Sequence, residues 1–196
     1  MNEHGVDFFQ KNREGDTARG GAAILVDRRK GSFKEFRLFA TSCETVAALG
    51  TMHGYNRKML IVCTYMPPGM RSSGTCFEEI IGIINEAKVI FPDPFVVVGG
   101  DFNEFNTEPL TTAFSELVIA ESPPTRADRK IDLLLTNFNR CIKKCSSREP
   151  LSNLEGTLSD NNVMYYQAAL PKKTLAKWVT ITRRKYTPEG EAAFGE

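Results

Sequence analysis

The residues best suited to chemistry lie in Val96-Val97-Val98-Gly99-Gly100-Asp101-Phe102-Asn103. An apolar run there gives way to a glycine pair, then to an acid and an amide two positions apart. Alternate residues of extended backbone share a face, so Asp101 and Asn103 can point the same way from the carboxyl end of a strand. A carboxylate so placed can orient or deprotonate a water while the amide donates to a phosphoryl oxygen, which suits hydrolysis of a phosphodiester. The glycines would let the backbone approach a ligand closely. Gly, Asp and Asn are also the ordinary residues of turns, so a plain turn is the competing reading. The buried strand in front favours function.

Three further segments offer polar groups at the ends of apolar runs. In Cys63-Thr64-Tyr65-Met66-Pro67-Pro68 the prolines keep the exit extended, and Tyr65 can aim a phenol at the same end of a sheet. Pro124-Thr125-Arg126 leads to Arg129-Lys130-Ile131-Asp132-Leu133-Leu134-Leu135. An aspartate in so apolar a strand is costly unless paired, so Asp132 is either a satisfied structural acid or the partner of a catalytic group. Leu158-Ser159-Asp160-Asn161-Asn162-Val163 reads, taken alone, as a β-turn before a strand. The two histidines add little: His4 is in a polar lead and His53 in a hairpin-like turn.

The elements that must carry these groups follow from the apolar pattern. Short, often continuously apolar runs predict strands over 20–26, 45–49, 59–64, 95–98, 131–135 and 163–170, several covered on both faces. Thr75 and Glu78 have the spacing of a capping box, and Phe77, Ile80, Ile81, Ile84 and Ala87 then recur at helical intervals until Pro92 and Pro94. A second helix can start at Thr107, with Pro109 in its first turn and Leu110, Ala113, Phe114 and Leu117 inward. Consecutive strands without a helix between them predict a mixed-sheet α/β domain.

At 196 residues, with 41% hydrophobic and 25% charged positions, the chain has the composition of one ordinary globular domain. It contains no apolar run long enough for a membrane helix, and its polar opening lacks a signal-peptide core. Five cysteines without a Cys-x-x-Cys pair read as reduced thiols, predicting an intracellular location. Net charge is +1, yet 126–148 holds seven Lys or Arg against two acids, and 171–196 holds six against three. Basic stretches around an acidic spot suit a polyanion, and equally a solvated surface. The expected organisation is a polar, poorly ordered lead over 1–19, a domain over 20–170 and a basic, linker-like tail over 171–196.

In this order and context, Tyr65, Asp101, Asn103, Thr125, Asp132, Ser159 and Asp160 resemble the endonuclease/exonuclease/phosphatase superfamily. Within it the chain is most similar to the apurinic-endonuclease-like nuclease of non-LTR retrotransposons. Tyr-x-Pro-Pro, Gly-Asp-Phe-Asn, Lys-Ile-Asp and Ser-Asp are each short, but together they are specific. The resemblance implies a four-layer α/β sandwich of two mixed β-sheets flanked by helices. It implies hydrolysis of a DNA phosphodiester assisted by Mg²⁺ or Mn²⁺. Asp101 would position or activate the water, Asn103 and Tyr65 would hold the phosphate, and Thr125, Arg126 and Ser159 would support or bind the substrate. Asp160 would lie near the metal, and Asp132 would orient the family's histidine. A linker-like 183–190 would lead toward a reverse transcriptase in a longer polypeptide, with action on nuclear DNA.

Two departures shape the expectation. The family's histidine is Asn161, which can donate a hydrogen bond but cannot carry a proton or positive charge. The family's opening strands, with an asparagine and a metal-binding glutamate, have no match before Gly20. The chain is therefore expected to be an N-terminally truncated nuclease domain, missing its first strands and impaired in turnover, with any ion bound weakly. A non-catalytic nucleic-acid-binding remnant and a small-substrate phosphatase are the alternatives.

Overall fold

A computed structural model describes residues 5–12, 21–38, 44–69, 74–149, 152–153, 156–157 and 161–171. The centre is a six-stranded mixed sheet. Its strands are β3 (Gly31–Leu38), β4 (Glu44–Met52), β5 (Lys58–Tyr65), β6 (Phe95–Asp101), β8 (Asp132–Thr136) and the two-residue β7 (Val118–Ile119). They lie in the order β3-β4-β5-β6-β8-β7, and only β5 and β6 pair in parallel. That parallel pair needs a crossover, which α1 (Gly74–Ile90) supplies. α2 (Glu108–Ala113) follows β6.

Strand residues alternate between two cores. Leu60, Val62, Val96, Val98 and Leu135 face α1, where Cys76, Phe77, Ile80, Ile83, Ile84 and Ala87 are buried, together with Leu110 of α2. The opposite face carries Val46, Ala48, Met59 and Phe95 against Ala22, Ile24 and Val26 of β2 (Gly21–Asp27). β2 pairs antiparallel with β1 (Val6–Asn12), and β12 (Val163–Ala168) pairs antiparallel with β9 (Ile142–Arg148). A two-residue ladder joins β10 (Ser152–Asn153) and β11 (Gly156–Thr157).

The α/β sandwich matches the expectation, with differences that have local causes. Among the described residues the second sheet exists as two separate antiparallel pairs rather than one mixed sheet, and both α-helices pack on the outer face of the first. The lead 1–19 is not wholly patternless, because Val6–Asn12 is a strand. Its core-facing side carries only one apolar residue, Phe9, between Asp7 and Lys11, so the period-two signal is broken by charges. β3 and β9 also escaped the pattern. β3 is an edge whose exposed Lys34 and Glu35 discourage further pairing, and β9 is largely polar. Thr75 lies within α1, which already includes Gly74, so it is not the cap. Ile83 is fully buried where Ile81 was expected, and Ala113 is exposed because α2 stops there. Thr107 is the N-cap of α2 by position, without a side-chain cap bond.

Candidate active site

The sheet's register gathers the chemistry into one row. Tyr65 at the end of β5 pairs with Asp101 at the end of β6, and Asp101 pairs with Asp132 at the start of β8. On the far side of Tyr65 the partner is Glu44, the first residue of β4. Directly paired residues project from the same face about 4.5–5.5 Å apart. Glu44, Tyr65, Asp101 and Asp132 therefore line one rim of four adjacent strands, on the face opposite the helices. Glu44 is 7% exposed and was not anticipated. Its signal was an acid heading an apolar strand, but the predicted strand began one residue later.

Loop residues close around this row. Asn103 adopts a positive φ of 50°, a conformation that asparagine tolerates better than most residues. Its backbone N–H donates to Asp101 Oδ1 at 2.9 Å, and its Nδ2 donates to the Met66 carbonyl at 2.6 Å. The amide thus ties the exit of β6 to the exit of β5. Asn161, sixty positions away in sequence, donates from Nδ2 to Asp101 Oδ2 at 3.4 Å. Both carboxylate oxygens of Asp101 thereby accept hydrogen bonds, which fix its aim. Asp101, Asn103 and Asp132 converge at one rim.

Thr125 is completely buried, and its hydroxyl accepts the backbone N–H groups of Ile131 and Asp132, each at 3.1 Å. Its carbonyl accepts Asn162 N–H at 2.7 Å. Thr125 therefore holds both Asp132 and the approach to β12. Arg126 is exposed on the small hairpin bridged to Arg129. Arg129 pairs with Glu104 at 2.8 Å, an exposed contact of little energetic weight that nonetheless links this hairpin to the Asp101 loop. Ser159 and Asp160 lie outside the described residues.

One glycine of the pair answers to packing. A Cβ on Gly100, whose φ is 148°, would lie 1.8 Å from the Thr64 carbonyl oxygen. Gly100 admits the neighbouring strand. Beside it a cavity of about 250 Å³ opens between the sheet and β12, lined by Gly99, Gly100, Asp132, Leu133, Leu134, Asn162, Met164 and Tyr166. A larger one, about 650 Å³, lies at the other end of the strands. There Arg57 is taken up by Asp93 and stacks on Phe95, and the Asn137 side chain bonds the backbone of Val96 and Pro94. Those groups build the wall rather than a reactive centre.

No protein-family model and no curated protein matches the sequence, whereas solved structures match across most of its length. The endonuclease domain of TRAS1, a telomere-specific non-LTR retrotransposon, superposes with a TM-score of 0.58 at 17% identity, covering 86% of this chain and 82% of that one. TDP2 from D. rerio, complexed with a single-strand DNA product, gives 0.58 at 10% identity, covering 83% and 76%. An endonuclease/exonuclease/phosphatase from Bacteroides vulgatus gives 0.56 at 17% identity, covering 85% and 77%. The chain has the endonuclease/exonuclease/phosphatase fold. Within that class, a retrotransposon endonuclease domain is among the structures it resembles.

Proposed function

We propose that this chain is a phosphodiesterase domain of the retrotransposon endonuclease type, directed at DNA and slow in turnover. The observation that carries the reading is the row of Tyr65, Asp101 and Asp132, closed by Asn103 and Asn161. Asp101, aimed by two donors, is the group that would orient a water and take its proton. Tyr65 would donate to a phosphoryl oxygen. Asn161 can steady developing negative charge with its amide but supplies no proton to a leaving group. Loss of a general acid of that kind typically lowers a rate by about 10²–10⁴.

The resemblance to the family implies assistance by Mg²⁺ or Mn²⁺. Among the described residues no group of three His, Cys, Asp or Glu is arranged to hold an ion. Asp160, the acid expected beside the metal, lies outside them. Exposed Arg126, Lys130, Lys143, Lys144 and Arg148 offer sequence-independent contacts to a phosphate backbone. A reverse transcriptase carried in the same longer polypeptide and a nuclear site of action complete the proposal.

The test is nicking of supercoiled plasmid with Mg²⁺ or Mn²⁺. Weak cleavage that disappears with Asp101→Ala and with a chelator is the expected result. Asn161→His should raise the rate by about tenfold or more. Absence of cleavage, with binding that weakens steeply as salt rises, would replace this reading by a nucleic-acid-binding remnant. That second reading is favoured by the amide of Asn161 where a proton carrier is needed.

A further inference from the structure

The cavity beside the row holds a polar group that the reaction above does not use. The Tyr166 ring is half-buried, but its hydroxyl oxygen is fully buried. Tyr166 lines one cavity with Asp132, and Ser122, Cys145 and Asp132 are near enough to influence its ionisation. Cys145 is its direct cross-strand neighbour, and Ser122 is itself 8% exposed. None of these closes a hydrogen bond of ordinary length to the phenol. Leaving a buried O–H unsatisfied costs about 1–3 kcal/mol. The cavity has the room and the polar walls, Asp132, Asn162 and Tyr166, that an ordered water requires.

We infer that Tyr166 is a positioning residue for Asp132, its O–H donating through a water held in this cavity to the carboxylate beside Asp101. The inference rests on the reading of that row as the reactive centre. Fixed on one side by the Thr125 bond to its backbone and on the other by this bridge, Asp132 keeps one orientation toward Asp101. Burial pushes the Tyr166 phenol up from its ordinary range; the Ser122 hydroxyl opposes that rise, while Cys145 and Asp132 add to it. The phenol therefore stays a donor wherever the carboxylate is charged.

Two measurements separate this role from simple packing. In protein carrying ring-labelled tyrosine, the NMR titration of Tyr166 should move to lower pH in Asp132→Asn and stay in place in Glu121→Gln, an exposed acid nearby. That readout needs no turnover, so it decides the coupling even if the wild-type chain cuts nothing. An unmoved Tyr166 titration in Asp132→Asn overturns the inference. In the nicking assay, Tyr166→Phe should lower kcat about tenfold with KM and melting temperature unchanged, while Tyr165→Phe, on the exposed side of the same strand, should match wild type. A Tyr166→Phe enzyme as fast as wild type also overturns it. Absence of nicking in the wild type alongside the titration shift would instead sink the proposed reaction and leave the coupling standing.

Discussion

On the helix side of the central sheet, Leu60, Val62, Val96 and Val98 meet an unbroken apolar face of α1; on the other, Val46, Met59 and Phe95 meet β2 while a cavity stands open over Gly99 and Gly100. Every side chain of the candidate row projects toward the second, less complete covering. A polar group in a close-packed apolar core costs several kcal/mol unless it is bonded. Only the face with space, loops and donors can hold Glu44, Tyr65, Asp101 and Asp132 side by side. The close-packed apolar core is therefore concentrated on one face and the candidate site on the other.

Substitutions can break that contrast, beginning where the two faces meet. Gly100→Ala would drive a methyl into the Thr64 carbonyl, so it should destabilise by more than about 4 kcal/mol or prevent folding, as read by denaturant unfolding. Leu60→Ala, at a fully buried site on the helix side, should cost about 2–5 kcal/mol in the same assay. Ile24→Ala on the opposite side should fall near the low end of that range, about 2 kcal/mol, because the thinner layer can settle into the space. An equal loss for Leu60 and Ile24 would erase the proposed asymmetry. Gly99→Ala adds a methyl 3.3 Å from the movable Leu134 Cδ1 and should change stability by less than about 1 kcal/mol.

The smallest effect concerns an ion pair far from either core. Hydrogen bonds from the Arg29 side chain and backbone, with minor help from Lys30, hold Asp27 down to about 2. A carboxyl whose folded value is depressed contributes stability above its ordinary range and loses it as pH falls toward that lower value. Arg29→Ala should return the Asp27 titration toward the ordinary range, followed by NMR, with a melting temperature at neutral pH indistinguishable from wild type, because the pair is open to solvent.

Four strands of the central sheet, β4, β5, β6 and β8, were legible by their apolar composition, as were β2 and β12 outside it. β1, β3 and β9 were not, since charges occupy core-facing positions or a sheet edge, or polar residues make up most of the strand. The site was legible where a polar residue ends an apolar run, as at Tyr65, Asp101 and Asp132. Glu44 and Tyr166 were not, because nothing local distinguishes an acid before a strand or a tyrosine within one from ordinary surface residues.

Sequence by itself determined which chemical groups exist and which face of its own strand each must take, since backbone geometry makes neighbouring side chains alternate. It also determined that position 161 carries an amide that cannot donate a proton. Only the tertiary structure decided that Glu44, Tyr65, Asp101 and Asp132 stand in one row, that Asn161 reaches Asp101 across sixty positions, and that Gly100 is demanded by Thr64. Strand register and close packing join residues distant in the chain, and no local pattern encodes which distant partner will arrive.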